Sequence, residues 1–248
     1  DALIQAGWTV NPIQPGQEIP SDTRVLLVLG NAALDDYAAY RVDAWLARGG
    51  AALLALRGVD VQTSRGLAAL PLQGDALLRA AGRYGVSLTP DLVLDESSQT
   101  LPFQQQAQGS AVRYVKYPLW IKARVENTSR KSPITASFGG LDLIWSSPLS
   151  LAAPEGVKAE ELVKTTKKAW LQTRDFAIAP EDEGRYAAEA EKTRGQYLLA
   201  ASLEGIPDVV KHLEPITAAV ATLRLEGGTT EIPPTVFAIF IDRAVDRL

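Results

Sequence analysis

Chemistry has few places to reside in this 248-residue chain, which holds no cysteine and one histidine, His212. Without cysteine there is no disulfide, thiolate metal site or thiol nucleophile. One histidine cannot build a multi-histidine metal centre, so no metal site is expected. A serine hydrolase relay could draw its base from His212 alone. That residue stands between Lys211 and Leu213, next to Glu214, a setting that suits a helix end or the surface. Neither GxxxxGK[ST] nor GxGxxG occurs, so nothing here cradles a nucleotide phosphate, and the GxSxG, HExxH and calcium-loop patterns are absent as well. Carboxylates do pair, as Asp35-Asp36, Asp95-Glu96 and Glu160-Glu161. Acid–base work depends on their separation in space, which sequence spacing does not supply. No catalytic residue and no cofactor is expected.

One polar constellation follows from architecture. In open parallel sheets, ligands gather beyond the carboxyl ends of the strands. Those ends carry Asn31, Arg57 and Asp60, joined by Ser146 and Ser147 if residues 141–145 belong to the sheet. Together they could form a rim for a small or carbohydrate ligand. Trp120, Trp145 and Trp170 could add stacking faces. Taken one by one, short strand-to-helix loops are polar because turns must be, and tryptophans favour the core.

The elements that must position this rim centre on residues 24–58. Residues 24–29 form a short apolar run that suits a strand buried on both faces. Ala38, Val42, Trp45 and Leu46 recur at helical spacing, with Asp35 as N-cap and Gly49-Gly50 as the exit. Residues 51–56 are a second apolar run, so the stretch predicts a right-handed βαβ unit. Residues 8–10 predict a strand before it. Residues 58–71 read as a loop, and residues 75–84 as a helix ended by Gly85. A strand follows at residues 92–94, then a polar loop over residues 97–109. Further strands are predicted at residues 112–115, 119–125, 141–145 and 197–201. Residues 209–225 suit a helix, or a helix then a strand, and residues 237–248 a closing amphipathic helix. No internal repeat and no clear second boundary appear.

Composition bounds the function classes. Hydrophobic residues make up 46% and charged residues 22%, an ordinary globular balance. A net charge of −4 argues against general nucleic-acid binding. One stretch runs the other way: Arg113, Lys116, Lys122, Arg124, Arg130 and Lys131 face Glu126 alone. This suits a solvated strand face, with an anionic lipid or acidic partner as the sharper alternative. No apolar run approaches the roughly 20 residues that span a bilayer.

Several stretches, in order, resemble the auxiliary domain of uncharacterised ABC-type transport systems, the family that includes the GldG-type gliding-motility protein. They are residues 25–30 (VLLVLG), 43–56 (DAWLARGGAALLAL), 83–95 (RYGVSLTPDLVLD) and Tyr117-Pro118. Residues 141–149 (LDLIWSSPL), 162–173 (LVKTTKKAWLQT) and 196–205 (QYLLAASLEG) follow. The resemblance implies one α/β domain over residues 1–248, with a mainly parallel sheet and flanking helices. That fold would be class I glutamine amidotransferase-like or flavodoxin-like, with additional β-rich segments after residue 110. It implies a soluble extracytoplasmic fragment of a longer protein, anchored by membrane helices outside this chain. The partners would be an ABC transporter permease and ATPase. Such domains are similar to non-catalytic modules suspected of binding carbohydrate, and they lack the amidotransferase cysteine, as this chain does. The family's usual strand before the last helix has no counterpart between Gly205 and Phe237. The expected function is non-enzymatic: partner, carbohydrate or envelope-ligand binding beside an ABC transporter. The alternatives are an amidotransferase-like serine hydrolase and a purely structural oligomerisation domain.

Overall fold

The computed structural model describes residues 2–31, 34–63, 66–104 and 112–205. After a one-turn helix α1 (Ala2–Gln5), residues 8–10 run without regular structure, so the strand expected there is not formed. The predicted βαβ unit follows as β1 (Val25–Leu29), α2 (Asp36–Ala47) and β2 (Ala51–Ala55), with β1 and β2 parallel and in register from Val25↔Ala51 to Leu29↔Ala55. Asp35 caps α2, its carboxylate accepting from the Ala38 N–H at 2.8 Å. Gly49 takes a φ of +87° at the exit, a conformation open to glycine at no steric cost.

The strands of this unit are not buried on both faces as expected. Leu26 and Val28 are buried beneath α2 and residues 76–84, whereas Leu27 is 38% and Leu29 77% exposed. Side chains alternate across a strand, so Leu27 and Leu29 share one face with Leu53 and Ala55 of β2. That face is apolar and open among the described residues.

Beyond β2 the architecture departs from a parallel α/β fold. Residues expected to be a loop form a hairpin, β3 (Val59–Gln62) against β4 (Ala68–Pro71). Helix α3 (Ala76–Tyr84) is capped by Asp75 and ends at Gly85, as its sequence predicts. Gly85 has φ +87°, and a Cβ there would lie 2.4 Å from the Ala152 carbonyl oxygen. The position therefore demands glycine twice over, by conformation and by contact. The close approach lets the Ala152 N–H donate to the Gly85 carbonyl at 2.7 Å. It also aligns β5 (Val86–Leu88) with β10 (Leu149–Leu151), in a sheet ordered β11-β13-β10-β5 with β11 (Lys158–Lys164) and β13 (Leu198–Glu204). A second sheet is ordered β7-β8-β9, from β7 (Ser98–Gln104), β8 (Val112–Arg124) and β9 (Gly140–Ile144). Residues 98–104, expected to be loop, thus form a strand. A third pair joins β6 (Leu92–Leu94) to β12 (Trp170–Gln172), and a one-turn α4 (Ala190–Thr193) precedes β13.

Among the described residues β1–β2 is the one parallel ladder, and every other pairing is antiparallel. The expectation of a mainly parallel, amidotransferase-like or flavodoxin-like sheet is overturned. The reason is connectivity. A parallel pair needs a long crossover, usually a helix, and after α3 the described chain offers only a one-turn α-helix and two short 3-10 segments. The expected helices over residues 209–225 and 237–248 lie outside the described residues.

Two polar contacts hold the layers in place. Asp95, fully buried, accepts from the Ser97 N–H (2.9 Å), the Thr166 N–H (2.7 Å) and the Thr166 hydroxyl (2.6 Å). Its own N–H donates to the Pro118 carbonyl at 3.1 Å. One carboxylate thus joins the end of β6, the start of β7 and the turn before β12. Between the helices, Asp43 of α2 pairs with Arg83 of α3. Burial there outweighs the attraction of Arg83 and raises the Asp43 carboxyl from 3.8 to about 6. The same burial, with Asp43 beside it, pushes the Tyr84 hydroxyl up.

These contacts make two predictions. Asp95→Ala leaves buried donors without an acceptor and costs roughly 3–4 kcal/mol, since hydrogen bonds to a charged group are each worth about 1.5–3 kcal/mol. The urea midpoint checks it, and an unchanged m-value shows that stability alone has moved. Asp43 binds its proton more tightly folded than unfolded. Its contribution is therefore fully present below about pH 4 and is lost as pH rises through about 6. Melting curves across that window should show the wild type losing on the order of 2–3 kcal/mol relative to Asp43→Asn, with no further divergence above about pH 7.

Candidate functional site

An open cleft of about 280 Å³ runs along the outer edge of β1. Residues 26–30 form its floor, residues 13–17 and Ile19 one wall, and Ala38, Arg41 and Val42 of α2 the other. Leu34 and Arg57 complete it. The lining carries two arginines and no carboxylate, and it holds no aromatic ring. Arg41 donates to the Tyr37 hydroxyl at 2.7 Å and lies 5.1 Å from that ring's centroid. No carboxylate pairs with Arg41 among the described residues. Arg57 pairs with Asp60 at 2.8 Å on the hairpin side. Each guanidinium keeps a buried Nε–H with no acceptor.

The end of the cleft is set by Asn31, which is fully buried. Its amide donates to the Arg57 carbonyl (3.1 Å) and to Asp75 Oδ2 (3.0 Å), and its carbonyl oxygen accepts from the Arg57 N–H (3.1 Å). Asp75 meanwhile caps α3 through its other oxygen, accepting from the Leu78 N–H at 3.1 Å. Asn31 therefore locks the ends of β1 and β2 onto the start of α3, and both of its N–H groups are spent in doing so.

The structure brings four of the five predicted rim residues into one connected patch. Asn31 holds the Arg57 backbone, Arg57 holds Asp60, and the next residue, Gly58, donates its N–H to the Ser147 hydroxyl at 2.9 Å. A Cβ at Gly58 would lie 2.2 Å from the Thr89 carbonyl oxygen, so glycine alone allows this approach. Ser147 is buried, and Ser146 enters the fold through its carbonyl, which accepts from the Val93 N–H at 2.8 Å. Of the five, Arg57 alone lines the cleft. Arg41 went unread in sequence because it stands beside the apolar stripe of α2. Its signal is the Tyr37-x-x-x-Arg41 spacing, which places a phenol one turn from a guanidinium.

The other candidates serve the fold. Trp170 is buried with its indole N–H on the Tyr186 carbonyl (2.7 Å), and Trp145 donates to the Tyr117 hydroxyl (2.8 Å). Trp120 reaches Asp142 at 3.3 Å. Of the basic stretch, Arg113 pairs with Glu183, Lys122 donates to Gln99, and Arg130 donates to the Phe138 carbonyl. Glu96 lies between Lys168 and Arg194, whose hydrogen bonds hold its carboxyl below the usual range. Among the described residues no group of three histidine, cysteine or carboxylate side chains could hold a metal. Among the described residues, the non-glycine residues with positive φ are Trp145 and Asp175, neither a serine. The serine hydrolase alternative needs a strained nucleophile, and His212 lies outside the described residues.

No curated protein and no solved structure matches this chain. A family model described as an ABC-type uncharacterized transport system matches residues 1–224, nearly the whole chain, and the protein therefore belongs to that family of transport-system auxiliary components.

Proposed function

We propose that this chain is a non-enzymatic, extracytoplasmic recognition domain of an ABC-type transport system, and that it docks a partner subunit along β1. The observation that carries the reading is the open apolar surface at the heart of the βαβ unit. Leu29 is 77% exposed on the strand that the sequence marks most strongly for burial. A large apolar residue left this far in water on a strand favours a surface that another protein covers. The adjacent cleft adds two guanidiniums, Arg57 paired with Asp60 and Arg41 with no carboxylate partner among the described residues. A neutral sugar would ask instead for aromatic faces, and the described cleft lining has none. The family supports a place beside a transporter. No described helix is long and apolar enough to cross a membrane, and our reading places the anchor in sequence outside this chain.

A photo-crosslinking amino acid placed at Leu29 of the full-length protein, in its native membrane, tests the docking. The expected product joins this protein to the transporter's permease. Crosslinks confined to unrelated proteins, or none at all, would overturn the reading. Leu29→Glu should leave the melting temperature nearly unchanged, within about 0.5 kcal/mol for an exposed position, while removing co-purification of the permease. The absence of native cysteine makes a location test clean. A cysteine introduced at exposed Glu155 should react with a membrane-impermeant thiol reagent in cells whose outer barrier is opened and whose cytoplasmic membrane is intact. Labelling only after cytoplasmic lysis would place the domain on the other side.

A further inference from the structure

We propose that the cleft accepts an extended acidic segment of polypeptide, added as one more strand on the outer edge of β1. The inference rests on the docking reading and names the chemistry of what docks. Three observations carry it. First, β1 has one ladder partner, β2. Apart from that ladder, no backbone hydrogen bond of residues 25–29 is formed among the described residues. An unpaired strand edge is a template for an incoming strand, whose main chain supplies the affinity. Second, the cleft follows four of the five residues of that edge and the glycine after it, since residues 26–30 all line it. Five residues of extended chain span about 16 Å, enough for a peptide to pair along the edge. Third, the walls present Arg41 and Arg57 and no carboxylate. Arg41 has no anionic partner among the described residues, and Arg57 is paired on its hairpin side with Asp60 at 2.8 Å. Glutamate or aspartate side chains on the incoming strand would meet them with charge-assisted, bidentate hydrogen bonds.

Charge also selects among occupants. Pairing β1 with β1 of a second copy would bring two sets of Arg41 and Arg57 together across the symmetry axis, which like charge opposes. An acidic strand meets no such opposition. Apolar residues on its alternate positions would rest near Leu27 and Leu29, since side chains alternate across a strand.

The probe is a fluorescein-labelled decapeptide alternating glutamate with valine and threonine, titrated into the 248-residue chain and read by fluorescence anisotropy. Two controls accompany it, one with lysine for each glutamate and one with prolines that remove the strand's donors. The acidic peptide is expected to bind at least about tenfold more tightly than either control, with affinity falling as salt rises. Arg41→Gln and Arg57→Gln should each weaken it about threefold to tenfold, and the two together by more. Neither change touches the backbone bonds between Asn31 and Arg57, and the Arg57–Asp60 pair that Arg57→Gln removes is partly exposed and of small worth, so melting curves should stay close to wild type. Hydrogen exchange should show new protection on the β1 amides that do not reach β2. Equal binding of the acidic and basic peptides, or no new protection on β1, overturns the proposal. So does protection of those amides in the free chain, because the chain's own residues would then fill the edge. A permease crosslink from position 29 without peptide binding would sink this inference and leave the docking reading standing. Peptide binding without a permease crosslink would do the reverse.

Discussion

The amide of Asn31 fixes the geometry on which the cleft depends. This buried side chain ties the backbone of Arg57 at the end of β2 to the end of β1, and ties both to the N-cap of α3. A buried amide is costly unless its groups are satisfied, and here the satisfied groups belong to three different elements. Fixing the Arg57 backbone leaves its side chain to reach Asp60 and the cleft from a rigid base.

From that anchor the molecule divides its labour. The βαβ unit carries the open face and the cleft. In the antiparallel sheets beyond it, β6 and the middle of β8 are buried more completely: Leu92, Val93, Leu94, Leu119 and Ile121 are all sealed from water. Asp95 joins those sheets with three accepted hydrogen bonds, so the region that supports the cleft is held by a polar contact as well as by apolar packing. The difference in burial between β1 and β6 is the physical basis for placing recognition on β1. Both are apolar strands of similar character, and only β1 leaves leucine in water.

The local elements were legible in sequence where punctuation was strong. Asp35, Gly49, Asp75 and Gly85 mark the two long helices at both ends, and each has the capping or turning role that its chemistry predicts. The direction of strand pairing was not legible. A run such as residues 92–94 reads the same whether its neighbour is parallel or antiparallel, and only the connections decide. Residues 98–104 were misread as loop because β7 is polar along much of its length, and its pairing with β8 is a tertiary fact. The open face was hidden for a related reason. The alternation in burial of β1 falls on an unbroken apolar sequence, so periodicity carries no signal. Asn31 and Arg57 were legible as strand-end residues, whereas the division between them, Asn31 as a lock and Arg57 as a cleft wall, needed coordinates. Arg41 was masked by the stripe it borders.

The account turns on what lies along β1 when the protein is at work. A structure of the full-length protein bound to its transporter, at a resolution that shows main-chain density, tests this most directly. The account predicts an added strand from a transport-system subunit beside residues 26–30, with carboxylates facing Arg41 and Arg57. A bare β1 edge in the assembled complex, or one covered by this chain's own residues, would contradict it.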